Sequence, residues 1–192
     1  MTTLIIYPEQ WSTTDVDVDR IQQYSDSQQI QQRLGDVGVQ FETWAASVDL
    51  SPAATQEDIL AVYATQVERL KQQHDFKTAD VISLKPDHPD RVQLRQKFLS
   101  EHTHSDFEVR FFVAGQGLFY IHHQERVYAV LCQSGDLISV PAGTRHWFDM
   151  GEAPSFTCIR LFSDPQGWVA DYTGDKIAER FPLLEQFISL AA

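Results

Sequence analysis

The chain has 192 residues, of which 43% are hydrophobic, and it carries a formal net charge of −12 at pH 7. This length predicts a single domain with a substantial core, and the hydrophobic content excludes a disordered protein. The acidic balance argues against nucleic acid and against a membrane surface as partners, because both are themselves negatively charged.

The sequence has no pattern typical of export or of membrane insertion. The apolar run Leu4–Tyr7 near the amino terminus is short and has no basic region before it, unlike a signal peptide. The longest apolar run elsewhere, Ile59–Ala64, is far shorter than the roughly 20 residues that span a bilayer. We expect Cys132 and Cys158 to be reduced thiols, and we predict a cytoplasmic protein.

The first half of the chain is predicted to mix short strands with helices. A loop is expected over residues 9 to 25, and Ser51-Pro52 is expected to open a new segment. Predicted strands cover Leu4–Tyr7, Val37–Trp44 and Ala79–Leu84. Predicted helices run from Asp26 to Leu34 with Gly35 after the last turn, from Thr55 to about Gln73 with Asp58 completing a capping box, and from about Asp90 to Leu99.

From residue 107 onward the pattern changes to short strands separated by turn residues. Strands are predicted at 107–114, 117–123, 126–131, 136–140, 145–150 and 156–163, and the first two are predicted to be separated by a turn at Gly115-Gln-Gly117. Regular spacing of this kind is typical of an antiparallel sandwich or barrel. Two short helices are expected after it, near 175–180 and 183–190, and no linker divides the chain.

One polar stretch, Glu101-His-Thr-His-Ser-Asp-Phe-Glu-Val-Arg110, stands out at the start of this β-rich part. In a strand, His102 and His104 lie on the same face, but Glu108 would lie roughly 13 Å further along at about 3.3 Å per residue. Ser105-Asp106 are residue types that turn the chain, so we expect a bend there. Beyond it, one face of the next strand is predicted to carry Glu108, Arg110 and Phe112, and the other face Val109, Phe111 and Val113.

With His146 from the later stretch Pro141-Ala-Gly-Thr-Arg-His146, these residues offer three imidazoles and one carboxylate. Such donors favour Fe, Ni, Cu or Zn, and they leave about two coordination positions on an ion that accepts six. Surface histidines and a closed structural zinc site are the plainer alternatives. Structural zinc prefers thiolates, however, and the chain has only two cysteines.

The spacing His102-x-His104-x3-Glu108-x6-Gly115, followed by Gly135-x5-Pro141-x-Gly143-x2-His146, resembles the two motifs of the cupin superfamily. The sequence departs from those motifs at Gln96 and Met150, neither of which is a ligand position. A closer resemblance is to the acireductone dioxygenase family. It rests on the residues from Phe98 to Tyr120, on Asp136 to Asp149, and on Arg160-Leu-Phe followed by Gly167-Trp168.

The resemblance implies a mainly β fold with flanking helices, a cupin double-stranded β-helix (jelly-roll) barrel. The barrel would cover about residues 101–165, with an α/β part over about 1–100 packed on it and a short helical segment at the end, as one cupin domain over 1–192. It also implies one Fe(2+) or Ni(2+) per monomer, with acireductone and O2 as substrates in methionine salvage. Formate and 4-methylthio-2-oxobutanoate are the products implied with Fe. Formate, CO and 3-methylthiopropanoate are those implied with Ni.

For individual residues the resemblance implies metal ligation by His102, His104, Glu108 and His146. We predict that Arg110 and Arg160 face an anionic enediolate as catalytic groups, with Arg110 also binding substrate, although each arginine could instead pair with a carboxylate of the protein. Phe98 and Phe148 are predicted to wall the substrate cavity. Trp168 is expected in the core, and surface positions are expected for His74, His88, His122 and His123.

The sequence leaves other functions open. A different cupin dioxygenase, or a sugar isomerase using Zn or Mn, would use the same donors. A non-catalytic binding module is the alternative from another class. A monomer is expected, and the donors alone do not select the metal.

Overall fold

The computed structural model describes residues 1–14, 20–44, 54–163 and 169–191. The predicted segment opening at Ser51-Pro52 and the predicted core residue Trp168 lie outside these ranges. The strands, numbered β1 to β11 in chain order, are Thr3–Pro8, Gln22–Tyr24, Gln40–Thr43, Thr78–Leu84, His102–Thr103, Glu108–His123, Arg126–Gln133, Asp136–Val140, Arg145–Asp149, Phe156–Phe162 and Asp171–Tyr172. The helices α1 to α5 are Ser27–Gly35, Gln56–Val62, Ala64–His74, Arg91–Leu99 and Leu184–Ala191, and a 3-10 helix covers Ile177–Arg180.

The long strand β6 belongs to two sheets and joins them. Its first half pairs with β8 and β10, and through them with β3 and β4. Its second half pairs with β7 and β9, which extend to β1 and β2 on one side and to β5 and β11 on the other. All of these pairings are antiparallel, as expected for a jelly roll. Strands β1, β3 and β4 of the first half of the chain are therefore hydrogen-bonded into the sheets.

Both halves of β6 are buried on both faces, so its side chains alternate between two apolar environments. Residues such as Phe112, Phe119 and Ile121 form the core between the sheets. On the other face of the first half of β6, Val109 and Phe111 pack under α2 and α3. The predicted division of β6 into two faces is confirmed. One face carries Glu108, Arg110 and Phe112, and the other carries Val109, Phe111 and Val113.

The predicted turn at Gly115-Gln-Gly117 is wrong, because β6 runs through it as one strand. The glycines instead allow a bulge where β6 passes from one sheet to the other. Gly115 has φ +78°, and the β6–β10 register shifts nearby, between Thr157 and Cys158. A Cβ at Gly115 would lie 1.9 Å from the carbonyl oxygen of Ser155, so only glycine fits.

Gly115→Ala is expected to lower the free energy of unfolding by at least about 2 kcal/mol, since it combines left-handed backbone strain with a clash against backbone. Gly38→Ala is the matched control: its φ is +81°, and the nearest atom to an added Cβ lies at 3.9 Å. That variant should lose only about 1 kcal/mol. Urea unfolding of the two variants measures the difference, and equal losses would contradict the close approach.

Three predicted boundaries in the first half also change. The helix predicted from Thr55 to about Gln73 is interrupted at Tyr63, whose buried ring packs against Phe111 at 4.7 Å. Its predicted capping box between Thr55 and Asp58 is confirmed. The predicted loop over 9–25 contains β2, an exposed edge strand with no apolar alternation to reveal it. Gly35 is the last residue of α1, and the left-handed turn follows at Gly38.

Cys132 and Cys158 are both buried free thiols, as predicted. Among the described residues, no helix combines the length and apolar character required to cross a membrane.

Candidate metal centre

Three adjacent strands bring the predicted donors together. His102 on β5 pairs directly with His146 on β9, and His146 pairs in turn with Ile121 on β6. The chain bends at Ser105-Asp106, as predicted, and this brings Glu108 back at the start of β6. The Asp106 carboxylate fixes the bend by accepting hydrogen bonds from the backbone N–H groups of Phe107 and Ser163, both at 2.8 Å.

The four side chains converge in the barrel interior. One potential ligand atom from each of His102, His104, Glu108 and His146 lies within 4.8 Å of the other three, and all four residues are buried. Metal–nitrogen bonds of about 2.1 Å place two donors at most about 4.2 Å apart. The widest separation among the four atoms is therefore close to the span of a single coordination sphere.

Backbone carbonyl groups orient the three imidazole rings. Nδ1 of His102 lies 2.7 Å from the Ser100 oxygen, and Nδ1 of His146 lies 2.8 Å from the Thr144 oxygen. Nδ1 of His104 lies 3.4 Å from the oxygen of Val169. A carbonyl oxygen can only accept, so each Nδ1 carries the proton, and Nε2 is left with its lone pair. This arrangement is typical of histidine ligands to metals.

The contacts of Glu108 indicate that a cation fits among these donors. One carboxylate oxygen, Oε2, lies 2.8 Å from His146 Nε2 and 3.3 Å from His104 Nε2. In neutral imidazoles protonated at Nδ1, these Nε2 lone pairs would face a negative oxygen. A positive charge between the three atoms removes that repulsion, and a divalent metal supplies it without extra protons.

The electrostatics also favour ligation. Burial, together with the neighbouring His146, lowers the pKa of His102 to about 4, so its imidazole is neutral near pH 7. Although burial by itself raises the pKa of Glu108, the neighbouring Arg110 guanidinium holds it well below its usual range. His102 therefore presents a neutral nitrogen donor and Glu108 an ionised carboxylate, the forms that bind metal.

A cavity of about 290 Å³ opens onto the donors. Apart from His102, His104 and Glu108, its walls are formed by Ile82, Lys97, Phe98, Arg110, Phe148, Arg160, Ala170 and Tyr172. Both predicted arginines and both predicted phenylalanines therefore lie beside the donors. Phe98 from α4 and Phe148 from β9 contact each other with their ring centroids 6.2 Å apart.

The two arginines differ in their partners. Arg110 is buried and donates from Nε to Glu108 Oε1 at 2.6 Å, and its guanidinium lies 4.9 Å from the centre of the Phe148 ring. Arg160 is more exposed and forms two hydrogen bonds with the Asp80 carboxylate, at 2.9 and 2.6 Å. Each arginine therefore pairs with a carboxylate of the protein, as the alternative interpretation predicted. The partner of Arg110 is the donor Glu108, whereas the partner of Arg160, Asp80, is not one of the four donors.

A larger cavity, of about 600 Å³, lies beneath α5 and contains residues such as Ile5, Trp11 and Leu190. None of the described residues that form its walls is a carboxylate, an imidazole or a cationic side chain. We therefore place the chemistry at the smaller cavity, which contains the converging donors.

The surface position predicted for His122 is wrong. His122 is buried, and its Nδ1 lies 2.5 Å from Oε1 of Glu101, which is also buried. The alternation along β6 could have predicted this burial, because His122 lies on the same face of the strand as the buried residues Leu118 and Tyr120. Glu101 directly precedes a metal-ligand candidate and was missed because nothing in the sequence pairs it with residue 122.

The fold and the site together define a metal-binding protein of the cupin class. The family model described as "ARD/ARD' family" matches residues 9–170, which is most of the chain. The chain therefore belongs to the ARD/ARD' family, the acireductone dioxygenases.

Similar proteins cover nearly the whole chain. The "Acireductone dioxygenase" of Methylococcus capsulatus is 54% identical over 188 residues, which are 98% of this chain and 98% of that protein. The protein of the same name from Marinobacter nauticus is 57% identical over 189 residues, covering 96% and 97% of the two chains. The solved structure "Acireductone dioxygenase from Bacillus anthracis with cadmium ion in active center" is 30% identical, with a TM-score of 0.76 over 90% of this chain and 99% of that one.

Proposed function

We propose that this protein cleaves an acireductone, 1,2-dihydroxy-3-keto-5-methylthiopentene, with O2 in methionine salvage. The observation that carries the proposal is the buried set of three imidazoles and one carboxylate beside a cavity that also holds two arginines. Family membership and relatives named acireductone dioxygenase support the choice of substrate.

His102, His104, Glu108 and His146 would hold one Fe(2+) or Ni(2+) per monomer. When bound, such an ion supplies a Lewis acid with about two positions open beyond the four protein donors. The choice of metal is proposed to select the products. They would be formate and 4-methylthio-2-oxobutanoate with Fe, or formate, CO and 3-methylthiopropanoate with Ni.

The side chains around the donors would bind and orient the substrate. Arg110 holds Glu108 through Oε1 and places a permanent positive charge beside the cavity, where the anionic enediolate would lie. Arg160 adds a second positive charge on the opposite strand, balanced by Asp80. Phe98 and Phe148 provide apolar walls for the methylthio tail and exclude water from the reacting carbons.

Arg110→Met is expected to lower kcat/KM by about a hundredfold, because it removes a fixed charge facing the anionic substrate. Metal content measured on the same sample separates this effect from loss of support for Glu108. Arg33→Met is the control, since Arg33 lies at the surface, where it pairs with Asp36 at 3.8 Å and lies over the Tyr24 ring. An unchanged kcat/KM at full metal content would contradict the role of Arg110.

The proposed reaction is tested by loading metal-free protein with Fe(2+) or Ni(2+), adding the acireductone without oxygen, and then admitting O2. We expect O2 uptake and formate with both metals, with CO released only by the nickel form. Formate-free turnover, or an isomerised substrate without O2 uptake, would overturn the proposal in favour of another cupin chemistry. Metal binding without any turnover would favour a binding module.

We further propose that the chain acts as a monomeric cupin domain in the cytoplasm. All four donors and both arginines come from one chain, so no second copy is required to complete the site. Strands from both halves of the sequence share the same sheets, which supports a single domain over 1–192. Two buried free thiols fit a reducing compartment. The net charge of −12 disfavours nucleic acid and anionic membranes as partners.

A further inference from the structure

Residues 169–173, the rim segment, border the mouth of the metal-site cavity. Ala170 and Tyr172 form part of the cavity wall. Tyr172 pairs with His102 across β11 and β5, and the two rings lie 5.8 Å apart. The carbonyl oxygen of Val169 lies 3.4 Å from Nδ1 of His104. The rim segment thus touches two of the four donor residues from outside.

Burial does not hold the rim segment in place. Val169 is 76% exposed and Tyr172 is 49% exposed. Strand β11 contributes only two residues, which pair with the equally short β5. A segment with so little buried apolar surface opens easily unless specific hydrogen bonds fix it.

Glu101 supplies such bonds at the end of the segment. Its carboxylate Oε2 accepts a hydrogen bond from Thr173 Oγ1 at 2.7 Å, and its backbone oxygen accepts one from the Thr173 N–H at 3.1 Å. Thr173 Oγ1 in turn accepts from the N–H of Asp175 at 3.2 Å. Glu101 is the residue immediately before His102, so one residue connects the rim segment with the strand that carries a metal donor.

Glu101 is itself fixed from the barrel side. Its Oε1 accepts a hydrogen bond from Nδ1 of His122 at 2.5 Å, and both side chains are buried. His122 lies on β6, opposite Arg145 on β9, within the main sheet. A buried carboxylate with two side-chain hydrogen bonds has one defined position. The contacts therefore run from the rigid sheet through His122 and Glu101 to Thr173.

We propose that Glu101 is a positioning residue that, with His122 and Thr173, fixes the rim segment against the metal ligands. Glu101 does not form part of the cavity wall. It acts on His102 and His104 indirectly, through the rim-segment residues that contact them. The inference rests on the proposed function only in taking the four converging residues as metal ligands. We call the hydrogen bonds among Glu101, His122 and Thr173 the clasp. Loss of the clasp should loosen the contacts of the rim segment with His102 and His104, and metal should then be released faster.

Thr173→Val tests the clasp, because valine keeps the shape of threonine and removes only the hydroxyl. Thr173→Ser keeps the hydroxyl and should restore wild-type behaviour. Thr157→Val is the control: it removes a hydroxyl that bonds Ser83 at 2.9 Å, away from the rim segment. The probe is Co(2+) loaded into metal-free protein, with its absorption spectrum and its rate of transfer to a chelator. Amide hydrogen exchange of residues 169–173 is followed in the metal-free state.

We expect Thr173→Val to release Co(2+) about tenfold faster than wild type, with a shifted Co(2+) spectrum and faster exchange at 169–173. The serine variant and Thr157→Val should behave as wild type. Release rates and exchange unchanged in Thr173→Val would overturn the inference, as would equal effects in Thr157→Val. If wild-type protein fails to turn over acireductone while these differences persist, the proposed function fails and the inference stands.

Discussion

His102→Ala is expected to strip the metal and to abolish dioxygenase turnover while leaving a folded barrel. Four donors converge within 4.8 Å, and losing one imidazole leaves a three-donor site in which one corner is empty. His102 lies on the two-residue strand β5, whereas the apolar core between the sheets is built from other strands, so its loss removes little packing. Metal content after dialysis should fall at least about tenfold, since weaker changes in the ligand surroundings already cost that much.

His88→Ala is the matched control for this substitution. His88 lies outside the donor set, and its Nδ1 accepts a hydrogen bond from the backbone N–H of Asp90 at 3.2 Å. It should keep wild-type metal content, activity and thermal unfolding. Full metal occupancy in His102→Ala would contradict the assignment of His102 as a ligand. If that variant unfolded at a much lower temperature than wild type, the claim that His102 contributes little to core packing would be contradicted.

Asp149→Asn is expected to destabilise the fold by about 3 kcal/mol, a large loss for a substitution that preserves the shape of the side chain. Asp149 is fully buried and accepts two hydrogen bonds from Arg95 of α4, at 2.7 and 2.9 Å. It also accepts from the backbone N–H of Gly151 and from that of Leu184, the first residue of α5. One carboxylate thus joins β9, α4 and the start of α5, and an amide cannot accept all four bonds.

Asp36→Asn provides the comparison at the surface. Asp36 lies 3.8 Å from Arg33 in an exposed pair, and such pairs contribute at most about 1 kcal/mol. Urea unfolding of both variants gives the two losses directly. A loss in Asp149→Asn as small as that in Asp36→Asn would show that Arg95 and α5 are held by other contacts.

The convergence of His102, His104, Glu108 and His146 could be predicted because strand geometry constrains it strongly. Period-two alternation places His102 beside His104 and Glu108 beside Arg110, and the turn types at Ser105-Asp106 provide the bend between them. The structure brings all of these side chains together with His146. Family membership was also predictable, since the motifs extend over much of the chain and the family model matches residues 9–170.

The remaining features depend on long-range contacts that local patterns do not contain. Gly115 was assigned to a turn because glycine marks both turns and bulges, and only the approach of Ser155 distinguishes the two. His122 was placed at the surface because its partner, Glu101, comes from a different strand region. Likewise, the pairing of Arg160 with Asp80 requires the antiparallel register of β10 with β4, which the sequence does not specify.

X-ray absorption spectroscopy of protein purified with its own metal tests most directly whether these four donors bind one ion. We predict one Fe or Ni per chain, with three imidazole nitrogens and one carboxylate oxygen at about 2.1 Å and no sulfur ligand. The imidazole signal should drop by about one ring in His102→Ala reloaded with excess metal. A metal with fewer than two imidazoles, or one bound through sulfur, would contradict the account.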